Sequence, residues 1–226
     1  MILKNKRIIA IIPAKNNSTR VKNKNSRKFF RSSLVEIAIN TAIESKFIKN
    51  IIVTSESQKI LKLKNKYSVE FIHRPKKLSN NIIMPDAAIM HAYKKIGQNY
   101  DYIVMLQPTS PLRTTKDIDD SIKKIILEKS DSLLSVFKSH SFLWKKKKSK
   151  YLSSNYNYLK RPRSQKMSQY QENGAIYITK PKIYQSNKNR LGGKISLYEM
   201  SFWKSFDINS LEDFQYVEKI YKNNFQ

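Results

Sequence analysis

The strongest constraint on the fold is a short apolar run that ends in a turn bounded by two prolines. The run covers residues 102–106, Pro108 and Pro111 lie in the polar segment that follows, and a helical pattern begins at Thr115. A run that is apolar at every position is typical of a strand buried on both faces, as in a parallel sheet. Ligands of such sheets bind at the carboxyl ends of the strands, so the turn is a candidate binding site.

Three polar side chains of this turn are candidate ligand-binding groups, namely those of Gln107, Thr109 and Ser110. The neighbouring prolines fix the backbone and leave these side chains free to hydrogen-bond a ligand. An ordinary connection between a strand and a helix has the same appearance. The segment 106–113 alone therefore leaves a binding loop and a plain turn equally open.

The rest of the chain repeats the alternation of strands and helices. Apolar runs predict strands over residues 7–13, 50–55, 69–73, 102–106, 131–137 and 195–200, and ordered structure is also expected over residues 173–179. Helical spacing of apolar residues predicts helices over residues 33–46, 57–66, 85–96, 115–129 and 210–222. This alternation predicts an α/β fold with a doubly wound, mostly parallel sheet and right-handed crossovers, formed by one domain over residues 1–226.

Residues 139–171 interrupt this alternation. The segment is rich in Lys, Ser, Tyr and Asn, and it shows neither the helical nor the strand period. We interpret it as an excursion from the sheet, a dimerisation arm that packs on a second subunit, which makes a homodimer the expected assembly.

The net charge is the feature that most favours a nucleic-acid-binding protein. The 226 residues carry a formal charge of +27, which is typical of proteins that bind nucleic acid. The lysines, however, occur in nearly every segment together with abundant Asn and Ile, and no zinc-finger, basic-zipper or aromatic RNA-binding motif accompanies them. Nucleic-acid binding is therefore the less favoured alternative, whereas a positive field also attracts nucleoside triphosphates and acidic sugars.

Cysteine and long apolar runs are both missing from the sequence. The lack of cysteine excludes disulfides, thiolate metal sites and cysteine nucleophiles. No run approaches about 18 apolar residues, and the first residues show no long apolar region or cleavage site. We therefore expect a cytoplasmic protein without a membrane segment.

A basic loop without glycine follows the first predicted strand. It covers residues 14–25 and contains lysines, one arginine and several amide side chains. The lack of glycine excludes a P-loop and a dinucleotide-binding fingerprint. Main-chain N–H groups and point charges in such a loop can still hold a triphosphate at the carboxyl edge of the strand, although a solvated lysine-rich loop has the same composition.

Short motifs occur in a fixed order along almost the entire chain. They are residues 11–14 (IIPA), Lys24-Asn25, Arg74-Pro75, Leu78-Ser79, 106–113 (LQPTSPLR), 131–136 (DSLLSV), 161–163 (RPR), 173–178 (NGAIYI) and 206–208 (FDI). This ordered set resembles the acylneuraminate cytidylyltransferases, the CMP-sialic acid synthetases. The resemblance implies a Rossmann-like nucleotidyltransferase fold and transfer of CMP from CTP to the anomeric hydroxyl of a nonulosonic acid, with release of pyrophosphate.

The resemblance also implies a set of site residues. Those expected to bind the nucleotide are Ala14, Lys15, Asn17, Ser18, Lys24, Asn25, Arg74 and Gln107. Those expected to bind the sugar are Gln107, Thr109, Ser110, Lys145, Arg163, Gln171 and Asn173. Lys24 is the expected catalytic cation, which offsets charge as pyrophosphate leaves.

Mg²⁺ is the implied cofactor, with CTP as co-substrate, and Asp207 is its expected ligand and a second catalytic residue. A hard cation that bridges phosphates needs only one or two carboxylates together with waters. By itself, an aspartate ahead of Asn209 and Ser210 is also typical of a helix cap. Asn209 stands where the family has a second metal carboxylate, and its amide oxygen can coordinate only without charge.

Other positions also depart from the family pattern. Lys15 replaces an arginine and so lacks the bidentate fork of a guanidinium. Glu56 and Asn81 replace aspartates, and Gln171 stands where sialic acid enzymes often have an arginine. The last change affects how the carboxylate of the sugar is recognised.

These departures leave three alternatives within the family. The favoured one is an active enzyme for sialic acid or a relative such as legionaminic acid, because residues 109–113 resemble those branches more than the pseudaminic branch. A ketodeoxyoctonate cytidylyltransferase is less favoured, since its first loop usually differs after the alanine. The third is a catalytically impaired member that acts as a binding subunit.

Overall fold

The strands and helices are given by a computed structural model, which describes residues 5–16, 20–80, 83–97 and 99–225. The strands are β1 (Ile8–Pro13), β2 (Lys28–Phe29), β3 (Ser32–Ser33), β4 (Asn50–Ser55), β5 (Glu70–His73), β6 (Tyr102–Leu106), β7 (Ser132–Ser139), β8 (Trp144–Lys147), β9 (Lys150–Ser153), β10 (Gln169–Thr179) and β11 (Ile195–Glu199). The α-helices are α1 (Leu34–Ile43), α2 (Gln58–Leu61), α3 (Pro85–Ile96), α4 (Thr115–Leu127), α5 (Pro181–Asn187) and α6 (Leu211–Asn224).

The described residues form a central sheet of seven strands in the order β11-β7-β10-β6-β1-β4-β5. Neighbouring strands are parallel except for β10, which runs antiparallel to both β6 and β7. The exception arises because the chain returns from β7 to the adjacent β10 without a crossover helix. The predicted α/β fold with a mostly parallel sheet is confirmed.

Predicted boundaries agree best where the sequence pattern is strongest. The strands β4 and β6 and the helix α3 span the predicted residues. The helix predicted over residues 57–66 is instead α2 followed by a 3-10 turn. β10 begins at Gln169, so the last three residues of the predicted excursion pair with β7.

Four short strands and one short helix were not predicted from the sequence: the antiparallel pair of β2 and β3, the antiparallel hairpin of β8 and β9, and the helix α5. The hairpin lies within the predicted excursion and forms a separate two-stranded sheet. Nearly every residue of its strands is exposed. Because neither face is buried, the sequence shows no alternation of apolar and polar residues there.

The core covers both faces of the central sheet. In β1, Ile8, Ala10 and Ile12 pack with α1 and α4 on one face, whereas Ile9 and Ile11 pack with α3 and α5 on the other. A strand buried on both faces has to be apolar at successive positions, which explains the uninterrupted run in the sequence. Among the described residues, no helix combines the length and apolar content needed to cross a bilayer.

A third apolar cluster joins the basic loop to α6. In this cluster Val21 of the loop and Phe214 of α6 pack with Ile208, which is wholly buried. Asp207 and Asn209 flank Ile208 in the sequence and are only partly buried. Burial of the isoleucine therefore anchors the short segment that carries both polar side chains.

Ser210 caps α6 directly after this segment. Its hydroxyl accepts a hydrogen bond from the Asp213 N–H (3.0 Å), and the Asp213 carboxylate accepts one from the Ser210 N–H (2.8 Å). We expect Ser210→Ala to lower the free energy of unfolding by about 1 kcal/mol, the usual cost of losing such a cap. Chemical denaturation measures this cost, and Ser68→Ala at an exposed loop position is the control. Equal stability of the two variants would contradict a stabilising role for the cap.

Candidate active site

An open cavity of about 390 Å³ lies at the carboxyl ends of β1, β5 and β6. Pro13 ends β1, Arg74 follows β5 and Gln107 follows β6, and all three line the cavity. Asp207, ahead of α6, also lines the cavity. The turn after residues 102–106 thus borders a cavity, as the binding-loop interpretation of the sequence requires.

Amide side chains fold the basic loop, which we call loop one (residues 14–25). The Asn25 Nδ2 donates to the Lys15 carbonyl (2.7 Å), and the Asn16 Nδ2 donates to the Asn23 Oδ1 (3.0 Å). Ser26 donates to the Asn16 Oδ1 at 3.2 Å. Asn23 adopts a left-handed backbone conformation (φ 57°), which asparagine tolerates better than most residues. Amide side chains therefore hold the described part of this loop in shape without any glycine.

Loop one brings Lys15, Lys24 and Asn25 to the cavity, as the sequence predicts. The Asn25 Oδ1 is buried and accepts no hydrogen bond from the described residues. Two further predicted contacts, Asn17 and Ser18, lie outside the described residues, and so does Asn81. Their roles stay predictions.

Glu56 links loop one to Arg74. The carboxylate accepts hydrogen bonds from the Asn16 N–H (2.7 Å), from the Arg74 Nε (3.0 Å) and Nη2 (2.8 Å), and from the Ser79 hydroxyl (2.8 Å). Burial acts to raise the pKa of Glu56, but these hydrogen bonds outweigh it and hold the pKa below the usual value. The ionised form is therefore favoured, and it fixes the Arg74 guanidinium at the cavity wall.

The turn after β6 is supported from behind by Arg113. The Arg113 Nη1 donates to the carbonyls of Gln107 (3.1 Å) and Ala175 (2.8 Å), and burial lowers the pKa of Arg113 to about 10. The Gln107 side chain passes close to Gly174, where an added Cβ would lie 3.4 Å from the Gln107 Nε2. Gln107 and Thr109 are thereby held at the cavity wall.

Asp207 lies beside cationic side chains of loop one. The Lys24 ammonium donates to the carbonyl of Ile208, and the Asn209 Nδ2 donates to the Asp207 Oδ2 (2.9 Å). The Arg20 Nη2 donates to the Asn209 Oδ1 at 3.2 Å. The Asp207 Oδ1 is buried and has no hydrogen-bond partner among the described residues.

Burial shifts the pKa values of Asp207 and Lys24 in the directions that favour their uncharged forms. It raises the pKa of Asp207, although the Thr109 hydroxyl, Lys24 and Asn209 oppose the rise. It lowers the pKa of Lys24, where the Asp207 charge opposes the effect and the charges of Arg20 and Lys15 add to it. A bound polyanion would stabilise the charged form of Lys24, and a bound metal ion would stabilise the charged form of Asp207, because each ligand places an opposite charge beside the buried group.

Three predicted contacts lie beneath the cavity wall and do not line it. Ala14 donates its N–H to the Thr54 carbonyl (3.0 Å), and Ser110 is wholly buried. Asn173 is buried in a network in which its Oδ1 accepts from the Ser135 hydroxyl (2.6 Å). These residues are buried and do not line the cavity, and their roles in binding stay predictions.

Three further predicted contacts lie on exposed parts of the chain and do not line the cavity either. Lys145 is on β8, Arg163 precedes a 3-10 turn, and Gln171 is on β10. None of them is brought near Lys24 or Asp207 by the contacts of the described residues. Their role in binding a sugar stays a prediction.

Sequence analysis missed Arg20 and the apolar wall formed by the segment between β5 and α3. Arg20 lines the cavity beside Asn209, and Leu78, Ile83 and Met84 line the wall. The charge of Arg20 was a usable signal, since it lies in loop one between two predicted phosphate contacts. The apolar residues show no pattern that separates them from an ordinary surface loop.

Fold and cavity together place the chain among the doubly wound α/β proteins, a class whose ligands bind at the carboxyl edge of the sheet. More narrowly, the chain belongs to the cytidylyltransferase family, whose model matches residues 9–226. The family resemblance found in the sequence motifs is thereby confirmed.

The relatives carry the names of three different compounds: N-acylneuraminate, pseudaminic acid and N,N'-diacetyllegionaminic acid. An N-acylneuraminate cytidylyltransferase of Escherichia coli is 30% identical over 92% of this chain, which spans 51% of that protein. A pseudaminic acid cytidylyltransferase of Campylobacter jejuni is 25% identical over 96% of this chain and 97% of its own length. A CMP-N,N'-diacetyllegionaminic acid synthase of the same species is 27% identical over 93% of both chains.

A solved structure of a CMP:2-keto-3-deoxy-manno-octonic acid synthetase, complexed with CTP, superposes with a TM-score of 0.74. The match covers 97% of this chain and 100% of the other, at 10% sequence identity. Likeness at so low an identity concerns the fold alone. It confirms the predicted nucleotidyltransferase fold.

Proposed function

We propose that this protein transfers CMP from CTP to the anomeric hydroxyl of a nonulosonic acid of the sialic or legionaminic type. The observation that carries the proposal is the convergence of Lys15, Lys24 and Asp207 on one cavity at the carboxyl edge of the sheet. Membership of the cytidylyltransferase family and the names of the relatives support CTP and an acidic sugar as substrates.

In the proposed reaction the anomeric oxygen attacks the α-phosphorus of CTP in line with the leaving group. The new oxygen–phosphorus bond forms as the bond to the bridging oxygen of pyrophosphate breaks, and the proton of the hydroxyl passes to solvent water. Such transfers need positioning and charge neutralisation more than covalent help from the protein. Lys15, Lys24 and Arg20 supply three positive charges at one side of the cavity. Lys24 has the catalytic role, since its ammonium is already held beside Asp207.

Asn25, Arg74 and Gln107 complete the proposed nucleotide site. The buried Asn25 Oδ1 is an acceptor, so it fits a hydroxyl of ribose or of the sugar better than a phosphate oxygen. The Arg74 guanidinium, fixed by Glu56, and the Gln107 amide offer donors to cytosine, ribose or the sugar. Thr109 borders the same wall and is a candidate contact of the sugar.

The residues beside Asp207 fit a magnesium ion. The buried Asp207 Oδ1 has no hydrogen-bond partner among the described residues, and Mg²⁺ is commonly held by one or two carboxylates, substrate phosphates and waters. Among the described residues, no three His, Cys, Asp or Glu side chains are grouped so that they could hold a metal ion together, so substrate has to complete the coordination. Bound there by Asp207 and Asn209, Mg²⁺ would supply charge neutralisation at the phosphates.

The assembly and location belong to the same proposal. The hairpin of β8 and β9 and the turn after it expose large aromatic side chains, those of Trp144, Tyr151 and Tyr158. Exposed apolar groups of this kind are typical of a protein–protein contact, which supports a homodimer through the arm of residues 139–171. A cytoplasmic location follows from the proposed use of CTP.

Pyrophosphate release tests the proposal directly. The protein is incubated with CTP, Mg²⁺ and single members of a panel of nonulosonic acids, and ATP, GTP and UTP serve as controls. Release with CTP and one sugar supports the function and identifies the substrate. Binding of CTP without release for any sugar favours the impaired binding subunit, for which the uncharged Asn209 is the specific observation. Absence of CTP binding contradicts the proposal.

Asn209→Asp tests whether the second metal position limits the enzyme. The amide oxygen of Asn209 faces Arg20, so a carboxylate there adds a charged ligand and also pairs with the guanidinium. We expect the Mg²⁺ concentration for half-maximal activity to fall by about tenfold, because a carboxylate binds a hard cation better than an amide. A magnesium titration measures this, with Asn65→Asp at an exposed position as control. An unchanged titration would contradict a metal-binding role for position 209.

A further inference from the structure

Glu56 has no place in the proposed chemistry, yet its carboxylate is the junction of three segments that frame the cavity. Its Oε1 accepts from the backbone N–H of Asn16 in loop one. Its Oε2 accepts from Arg74, at the end of β5, and from Ser79, at the start of the wall that leads to α3. Each oxygen therefore serves a different side of the nucleotide site.

The ion pair of Glu56 with Arg74 is shielded from water. The side chain of Arg74 is 3% exposed and that of Glu56 is 11% exposed. Such a pair adds little net stability, because removing two charges from water offsets most of their attraction. What two hydrogen bonds to one guanidinium do provide is a fixed orientation, since the planar fork matches the carboxylate.

The other oxygen fixes the part of loop one that carries Lys15. Asn16 is held by its N–H on Glu56 and by its side chain on Asn23 and Ser26. The neighbouring Lys15 carbonyl accepts from Asn25. Lys15 and Asn25 are thus fixed relative to each other within the loop, and the bond to Glu56 fixes this unit relative to the sheet.

We propose that Glu56 is a positioning residue that locks the phosphate-binding loop and Arg74 to each other, so that one nucleotide engages both at once. The inference rests on the proposed function, because it takes CTP as the ligand that spans them. Glu56 itself does not line the cavity. It acts by setting the distance between the groups that do.

The chemistry of the carboxylate dictates which substitutions test this role. In Glu56→Gln, one oxygen becomes an NH₂ group, which faces either the Asn16 N–H or the Arg74 guanidinium and repels that donor. Glu56→Asp keeps the charge but is one methylene shorter, so it cannot reach both partners in the present geometry. Glu70→Gln, an exposed glutamate on β5, is the matched control.

The experiment measures binding and turnover for wild type and the three variants. Calorimetry gives the Kd for CTP and for inorganic tripolyphosphate, which probes the loop without a base. Pyrophosphate release gives KM for CTP and kcat, and thermal unfolding verifies the folded state. We expect Glu56→Gln to raise Kd and KM for CTP by about tenfold or more, since small misplacements at such sites are costly. The kcat at saturating CTP should change less than KM, and the affinity for tripolyphosphate should also fall.

Glu56→Asp separates the effect of Glu56 on loop one from its effect on Arg74. It also tests the proposal if Glu56→Gln does not fold. We expect it to recover part of the CTP affinity through Arg74 while tripolyphosphate binding stays weak. Unchanged CTP affinity in folded Glu56→Gln would overturn the inference. So would loss of CTP affinity with unchanged tripolyphosphate affinity, because Glu56 would then act through Arg74 alone. Failure of wild type to bind either probe would instead overturn the proposed function, and the inference with it.

Discussion

Lys24→Met is expected to lower kcat by about 100- to 1,000-fold, the usual cost of removing one preorganised donor from a site of developing charge. Lys24 lies at the side of the cavity that Asp207 lines, and burial lowers its pKa. A desolvated ammonium gains most from the charge that builds up on departing pyrophosphate, since little water competes for it. Methionine keeps much of the length of lysine and removes only the charge and the donors.

Lys22→Met is the control for this prediction. Lys22 lies in the same loop two residues earlier, but it is exposed and does not line the cavity. A single-turnover measurement at saturating CTP separates the effect on transfer from any effect on binding. Equal rates for the two variants would show that loop one contributes only its total charge. That result would favour the alternative that loop one is a solvated, lysine-rich loop without a specific catalytic lysine.

The central sheet could be predicted from the sequence because burial imposes a pattern on each strand. Residues 102–106 are apolar at every position since both faces of β6 are covered, and the same holds for β1. The hairpin of β8 and β9 is exposed and leaves no such pattern. Prediction of fold therefore succeeded where packing constrains the residue types and failed where solvent permits most of them.

The candidate site was predicted in part for the same kind of reason. Lys24, Gln107 and Asp207 lie in short motifs, and the structure brings all three to one cavity. The motifs carry no information on depth, so they could not separate Thr109, at the wall, from the buried Ser110. Depth depends on contacts between segments that are distant in the sequence.

The role of Glu56 could not be predicted from the sequence, because its partners are distant from it in the chain. Its partners are 40 residues earlier (Asn16) and 18 residues later (Arg74) in the chain. Only the adjacency of β1, β4 and β5 in the sheet brings these residues to one carboxylate. The sequence identified Glu56 as a departure from the family pattern and left its function open.

The sequence left two interpretations of Asp207 open, a metal ligand and a helix cap, and the contacts of Asp207 favour the metal ligand. A capping aspartate would accept hydrogen bonds from the N-terminal N–H groups of α6. Asp213 and Ser210 perform that role instead. The Asp207 carboxylate faces side-chain donors instead: its Oδ2 accepts from Asn209, and the Thr109 hydroxyl acts to lower its pKa. Its Oδ1 has no hydrogen-bond partner among the described residues. The carboxylate is therefore available to a cation.

Asp207→Asn should accordingly change CTP binding in opposite directions with and without magnesium. Without the metal, we expect tighter binding of CTP, because the variant removes a buried negative charge that repels the phosphates. With Mg²⁺, we expect kcat/KM to fall by about 100-fold, since an amide is a poor ligand for a hard cation and the charge at the phosphates is no longer neutralised. Calorimetry in EDTA and steady-state kinetics at fixed Mg²⁺ measure the two effects.

The opposite signs distinguish a metal ligand from every structural role of Asp207. A residue that only supports the fold would weaken both measurements together, and a dispensable one would change neither. Asp120→Asn, on the surface of α4, controls for the loss of one negative charge from a strongly basic protein. Weaker CTP binding in EDTA would mean that Asp207 orders Lys24 and Asn209 rather than repelling phosphate. In that case the carboxylate would be part of the scaffold of the site, and the magnesium would have to be held by CTP itself.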